Sequence, residues 1–236
     1  MISSIPKWVG DIFESTLRPN AKVLETSYIS SQIKKIRFQG NISKMNFQIG
    51  YANVLRVSET EYRNYTPAYH DKEKGIIDIL FHIHKNGVGS NYFDSINTGD
   101  KTYIGPSRGK KLYDPSIENQ FFFGDETSLG NACALLPLLK NKNHQFQFYF
   151  ELDEENKNVP ELLGLENFTV FPKNDSFRND KWISDLPLFK IEEWNAANFV
   201  LVGNVRSVQA FRKVLKNKTQ GNVYSQGYWL EGKKGL

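Results

Sequence analysis

Between residues 22 and 106 the chain runs in short stretches where apolar and polar positions alternate, the period of a half-buried strand. Such stretches cover residues 22–28, 32–39, 47–58, 61–69, 76–84 and 101–105. The polar turn His70-Asp71-Lys72-Glu73-Lys74-Gly75 is of the kind that joins antiparallel neighbours. Residues 76–84 are strongly apolar and β-branched and predict a core strand. A short helix capped by Ser90 is expected over residues 90–98. About six antiparallel strands with one short helix predict a small barrel over residues 1–106. Ahead of it, Pro6 opens an expected amphipathic helix over residues 6–17. Trp8, Val9, Ile12 and Phe13 lie on the side that packs against the barrel.

The pattern changes after Gly105-Pro106-Ser107-Arg108-Gly109-Lys110-Lys111, whose glycines, proline and lysines read as a linker. Beyond it strands alternate with helices. Strands are expected over residues 120–124, 145–152, 168–171, 198–202 and 223–230. Helices are expected from Thr127 to about Leu139, over residues 159–163, and through Val208, Phe211, Val214 and Leu215. That alternation implies a parallel sheet of the nucleotide-binding type over residues 107–236. The predicted fold class is a two-domain arrangement: an antiparallel β-barrel followed by an α/β nucleotide-binding domain.

Composition narrows the function classes. The 236 residues are 39% hydrophobic and 24% charged, with a net charge of +4. A soluble globular protein is ordinarily built this way. The mild positive balance suits an anionic ligand but falls short of a nucleic-acid-binding surface, so no nucleic-acid partner is expected. Lys110-Lys111 and Lys233-Lys234 read as solvated faces. Cys133 stands alone, which excludes an intrachain disulfide and a cysteine-held iron–sulfur cluster. No apolar run approaches the ~20 residues of a membrane span, and the amino terminus lacks the pattern of a secretory signal. A cytoplasmic protein without stable membrane association is expected.

The candidate chemistry gathers at two segments. Arg63-Asn64-Tyr65-Thr66-Pro67, if extended, puts Arg63 and Tyr65 on one side and turns Thr66 to the other. Arg supplies a planar fork for phosphate, Tyr a flat face for stacking, and Thr a small hydrogen-bonding group. His82-Ile83-His84-Lys85-Asn86-Gly87-Val88-Gly89-Ser90 ends in a glycine-rich turn that offers backbone N–H groups to an anion. A ligand with a diphosphate and a flat polar ring engages all of these, and FAD fits; the alternative is an exposed strand and loop. The His82–His84 spacing also suits a metal, but no third ligand is evident and flavin-side histidines are the favoured reading.

In the second half, Gly124-Asp125-Glu126-Thr127 and Gly203-Asn204-Val205-Arg206 fall where open α/β sheets bind ligands. Neither is a dinucleotide fingerprint. Arg206, in the first turn of its helix, is placed to pair with a phosphate. Asp125 and Glu126 either receive ribose hydroxyls or act as first-turn helix charges.

Together, Arg63-Asn64-Tyr65-Thr66, Gly87-Val88-Gly89-Ser90, Gly105-Pro106, Phe123-Gly124-Asp125-Glu126-Thr127, Gly203-Asn204 and Gly227-Tyr228-Trp229-Leu230-Glu231-Gly232 resemble the siderophore-interacting proteins, a branch of the ferredoxin-reductase-like flavoproteins. The likeness runs in order from about residue 20 onward. It implies FAD on the barrel, with Arg63 at the diphosphate, Tyr65 against the isoalloxazine and Thr66 near its N5 or O4. It also implies His82 and His84 beside the ribityl or diphosphate, and Gly87, Gly89 and Ser90 around the phosphates. NADPH or NADH is then the co-substrate of the second domain, at Gly124, Asp125, Glu126, Gly203 and Arg206. Thr127 approaches the flavin and Trp229 shields its ring. The implied acceptor is a ferric siderophore or other ferric chelate, whose reduction to Fe(II) weakens its hold on hard oxygen ligands. A basic rim of Lys110, Lys111, Lys233 and Lys234 attracts the anionic chelate. Alternatives are a flavin reductase passing electrons to a ferredoxin or flavodoxin, and a non-catalytic ferric-chelate binder. The chain departs from the family pattern at Ser128-Leu129-Gly130, at Leu230 in place of Arg, and at Ala68-Tyr69 where an Arg is usual.

Overall fold

The computed structural model describes residues 18–233, so the helix expected over residues 6–17, and Lys234, lie outside the described residues. The described chain falls into two compact units, one ending at Lys111 and the other beginning at Leu112.

The first unit holds β1 (Ala21–Tyr28), β2 (Ile33–Gly40), β3 (Tyr51–Arg56), β4 (Tyr62–Tyr65), β5 (Pro67–Asp71), β6 (Ile76–His82), helix α1 (Val88–Ser95), β7 (Lys101–Thr102) and β8 (Ile104–Gly109). Two antiparallel sheets form, in the orders β5-β6-β2-β1-β7 and β4-β3-β8. They share one interior. Val23, Ile36, Phe38, Ile77, Ile79 and Phe81 from the first sheet share a core with Leu55 and Ile104 from the second, joined by Phe93 of α1 and by Ile96 just after it. Burying each such side chain contributes about 1.5–3 kcal/mol, so the alternation read in residues 76–84 is enough to set the register of β6. Opposite the core, Asp78 lies directly across from Arg37 on β2 and accepts two hydrogen bonds from its guanidinium at 2.7 and 2.8 Å.

Three sequence expectations are corrected here. The stretch 61–69 is two strands: β4 pairs with β3, and β5 pairs with β6 in the other sheet. Pro67 has no N–H for the ladder, and the chain changes sheets at Thr66 beside it. Residues 105–109 are strand, not linker. β8 pairs with β3 as an edge strand, and Asn53 ties the two by donating to the Gly105 carbonyl at 2.7 Å. The glycine there serves close packing: a Cβ on Gly109 would sit 2.6 Å from the Gly50 carbonyl oxygen. Residues 47–50 are likewise outside β3, which starts after Gly50, a residue at φ +92°.

The second unit holds β9 (Asn119–Gly124), α2 (Leu129–Asn141), β10 (Gln145–Leu152), α3 (Val159–Leu162), β11 (Phe168–Pro172), α4 (Asp180–Ser184), β12 (Asn198–Asn204), α5 (Val205–Lys218) and β13 (Asn222–Trp229). Its sheet is parallel throughout, in the order β11-β10-β9-β12-β13. Every residue of β12 is buried, as expected of a central strand covered on both faces. Phe121, Phe123, Phe177, Phe199 and Phe211 form the aromatic heart of the core beneath α5. The strand order reverses between β9 and β12, and the carboxyl ends of those two strands flank the crevice where such sheets take ligands. Among the described residues no helix is long and apolar enough to cross a membrane.

Candidate functional site

The first unit builds one constellation around the start of α1. On β4, Arg63 and Tyr65 project to the same side: a Cβ placed on Gly89 would lie 2.5 Å from the Tyr65 hydroxyl and 3.2 Å from Arg63 Cγ. Glycine is therefore what lets the helix approach the strand. Val88, Gly89 and Ser90 are in the first helical turn, where N–H groups have no intrahelical acceptor and the helix dipole is positive. No acidic residue occupies that turn. The Tyr65 ring meets Phe81 and Phe93 edge-on, with centroids 4.7 and 5.1 Å away. Burial pushes its phenol above the ordinary range, against the opposing pull of the Arg63 charge, so the hydroxyl stays a neutral donor.

Ser90 is not the helix cap. Gly87 takes that position and has no side chain to offer. Ser90 instead turns back, and its Oγ accepts the N–H groups of both His84 and Lys85 at 3.0 Å. That closes the turn in which Lys85 is held at φ +62°. His84 is exposed and accepts the Asn86 N–H on Nδ1 at 3.3 Å; its ring lies 5.6 Å from that of His82. Thr66 is half-buried at the strand switch. The residue missed from the sequence is Glu61. Its carboxylate accepts from Arg63 Nη2 at 3.0 Å, while Nη1 donates to the Tyr62 carbonyl at 2.8 Å. The signal was present, since Glu61 precedes Arg63 by the two residues that place side chains on one face.

The second unit gathers polar groups at the carboxyl ends of its strands. Asp125 follows β9 and caps the helical turn Glu126–Ser128, accepting the Thr127 N–H at 2.9 Å. Its other oxygen accepts the Asn204 N–H at 2.8 Å and the Trp229 indole N–H at 2.7 Å. One carboxylate thus joins the ends of β9, β12 and β13. Gly203 makes room for it: φ is +115°, and a Cβ would lie 2.6 Å from Asp125 Oδ2. Glu126 is buried and accepts the Asp153 N–H at 2.7 Å, with its second oxygen 2.5 Å from Lys173 Nζ. Lys173 also pairs with Asp153 at 3.1 Å and sits 5.8 Å from the Trp229 ring centre. Burial lowers the Lys173 pKa, but Glu126 and Asp125 outweigh it and hold the amine charged. Glu151, buried at the end of β10, hydrogen-bonds Ser207 at 2.7 Å. Desolvation pushes its carboxyl up to about 6, against the opposing Ser207 bond.

The predicted residues of this half are therefore brought together, with their oxygens largely spent on the framework. Asp125 and Glu126 both bind protein donors. Arg206 is exposed in the first turn of α5, its Nε 3.9 Å from Glu231. Asn204, not Gly203, caps that helix through its side chain. Lys173 and Glu151 escaped sequence reading: a lysine in the turn Pro172-Lys173-Asn174 reads as solvated, and nothing local marks Glu151 as buried beside Asp125.

Residues 20–113 match the model of the oxidoreductase FAD-binding domain. A stretch of 79 residues, 34% of this chain, is 36% identical to NADH-cytochrome b5 reductase 1 of Dictyostelium discoideum; it spans only 26% of that protein. Among solved structures, the siderophore-interacting protein SipS from Aeromonas hydrophila superposes with a TM-score of 0.72 at 16% identity, over 91% of this chain and 99% of that one. Phthalate dioxygenase reductase, described as a modular structure for electron transfer from pyridine nucleotides to [2Fe-2S], gives a TM-score of 0.70 at 14% identity, over 91% of this chain and 68% of that one. As the resemblance drawn from the sequence implied, the chain has the ferredoxin-reductase-like fold that these structures share, and its amino-terminal unit matches an oxidoreductase FAD-binding domain.

Proposed function

We propose that this chain is a flavoprotein oxidoreductase that binds FAD on the unit ending at Lys111, takes a nicotinamide nucleotide on the second unit, and reduces a ferric siderophore. The observation that carries the reading is the convergence of Arg63 and Tyr65 on Gly89 at the opening turn of α1. A diphosphate suits that convergence: the stem of a cationic side chain, a glycine without a Cβ and first-turn N–H groups without intrahelical acceptors lie together. Arg63 holds the diphosphate, exchanging its Glu61 contact for phosphate oxygens. The Gly87–Ser90 turn supplies N–H groups, kept in place by the Ser90 hydroxyl. Tyr65, braced by Phe81 and Phe93, sets the floor of the site, with Thr66, His82 and His84 beside it. Bound FAD supplies hydride acceptance from the nicotinamide and release of electrons one at a time.

In the second unit, Gly124, Asp125, Glu126, Thr127, Gly203, Arg206 and Trp229 frame the nucleotide crevice. Asp125 orients Trp229 through its indole N–H, and Arg206 faces the phosphates. The chain contributes alignment, and alignment supplies up to roughly 7–11 kcal/mol of a barrier without any acid or base. The ferric-chelate acceptor is favoured because the Aeromonas siderophore-interacting protein is matched along 99% of its length, the dioxygenase reductase along 68%. Lys110 and Lys111 are exposed cations suited to an anionic chelate.

The test is the absorbance spectrum of the purified protein under anaerobic titration with NADH and NADPH, followed by a panel of ferric chelates and by a ferredoxin and a flavodoxin. A yellow protein that is bleached by a nicotinamide and re-oxidised by ferric siderophores supports the reading. Re-oxidation by the carrier proteins alone moves the acceptor to an electron-transfer partner. A colourless protein that still binds ferric chelate leaves a non-catalytic binder.

A further inference from the structure

Resting on the nicotinamide reading above, we propose that the second unit selects NADH over NADPH, and that Asp153 makes the selection. In sheets of this topology the adenosine ribose lies by the carboxyl end of the strand that follows the first strand–helix unit. There an acidic side chain takes the 2′-hydroxyl of NADH, or an arginine receives the 2′-phosphate of NADPH. Here the first unit is β9–α2 and the strand that follows is β10, which ends at Leu152 and runs directly into Asp153-Glu154-Glu155.

The backbone of Asp153 is pinned, its N–H donated to the buried carboxylate of Glu126 at 2.7 Å. The side chain is 39% exposed, and its Oδ2 pairs with Lys173 at 3.1 Å. Both carboxylate oxygens carry acceptor lone pairs, so the partly exposed group keeps capacity for a ribose hydroxyl beside that ion pair. A 2′-phosphate placed there adds nearly two negative charges next to Asp153, Glu154, Glu155 and Glu126.

The cations that would answer such a phosphate are already engaged. Lys173 lies 2.5 Å from Glu126 and 3.1 Å from Asp153. Lys157 pairs with Glu154. Arg178 pairs with Asp175 at 2.9 Å and with Glu231. Arg206 Nε is 3.9 Å from Glu231. Among the described residues at this edge of the sheet, each of these cations lies beside a carboxylate, Arg178 and Arg206 sharing Glu231. Recruiting Lys173 for a 2′-phosphate leaves the buried Glu126 carboxylate uncompensated.

The experiment is anaerobic reduction of the flavin-loaded protein by NADH and by NADPH at matched ionic strength. Calorimetric binding of 5′-AMP and of adenosine 2′,5′-bisphosphate supplies a readout independent of the flavin. NADH is expected to lead in kcat/KM by roughly tenfold or more, with 5′-AMP binding the tighter of the two fragments. Raising salt from 0.05 to about 0.5 M shrinks the difference, because the repulsion lies at a partly exposed edge. Asp153→Asn combined with Glu155→Lys moves the preference toward NADPH by about tenfold or more. Equal or better use of NADPH by the unaltered protein overturns the Asp153 inference and leaves the nicotinamide reading standing. Failure of both nucleotides and both fragments to bind overturns the two together. The comparison within the unaltered protein decides the matter even where the double variant does not fold.

Discussion

Gly89 offers a test of the flavin constellation that reads geometry directly. In most helices Gly→Ala stabilises by about 0.5–1 kcal/mol, because glycine loses the most backbone freedom on folding. At Gly89 the added methyl would meet the Tyr65 hydroxyl at 2.5 Å and Arg63 Cγ at 3.2 Å. A terminal hydroxyl normally yields at little cost, but this one ends a stiff ring wedged against Phe81 and Phe93 at 4.7 and 5.1 Å. Overpacking of that kind costs about 1–3 kcal/mol. Gly89→Ala is thus expected to destabilise the protein by a net ~1 kcal/mol, the helix gain included. Tyr65→Phe deletes the obstructing oxygen; the nearest ring carbon then lies 3.7 Å from the methyl. In that background Gly89→Ala should turn neutral or stabilising, giving a coupling of about 1–3 kcal/mol in a double-mutant cycle. The assay is urea unfolding of the four proteins followed by tryptophan fluorescence, with flavin content measured in parallel. Equal effects of Gly89→Ala in the two backgrounds would refute the packing argument, and undiminished flavin content in Gly89→Ala would refute the site built on it.

Three further outcomes follow from the second unit. Lys173→Met leaves the buried Glu126 carboxylate without its counter-ion and should cost about 3–5 kcal/mol in chemical unfolding at pH 7; a loss below 1 kcal/mol would show the pair to be dispensable. Glu151 has its carboxyl raised from 4.5 to about 6, chiefly by burial. A raised folded-state value stabilises below pH 4.5, and that contribution is lost as pH climbs through 6. Glu151→Gln should therefore gain on the parent protein by up to ~2 kcal/mol between pH 4.5 and 8, and a pH-independent difference would contradict the assignment. Trp229→Phe removes the indole donor to Asp125 and should cost about 1.5–3 kcal/mol while altering nicotinamide kinetics more than flavin content; the reverse pattern would reassign Trp229.

The alternation of residues 76–84, the aromatic β-strand at 145–152 and the amphipathic stripe of α5 were legible in the chain because each buries one face and carries its own period. The same holds for Arg63 and Tyr65, whose spacing alone puts them on one side of a strand. The sheet switch at Thr66 was not legible, nor was the pairing of β8 with β3, because which sheet a strand joins depends on partners distant in sequence. The packed segment between β11 and β12, with Phe177, Ile183 and Leu188 in the core, consists of single helical turns too short to show a period. What only the folded protein decided is who compensates whom. Glu61 meets Arg63 within a few residues, but Lys173 reaches Glu126 across 47 residues of chain and Trp229 reaches Asp125 across 104, and Glu151 is buried by neighbours it does not touch in sequence. A charge's partner and its degree of burial are properties of space, and the local pattern of a chain encodes only the face on which that charge begins.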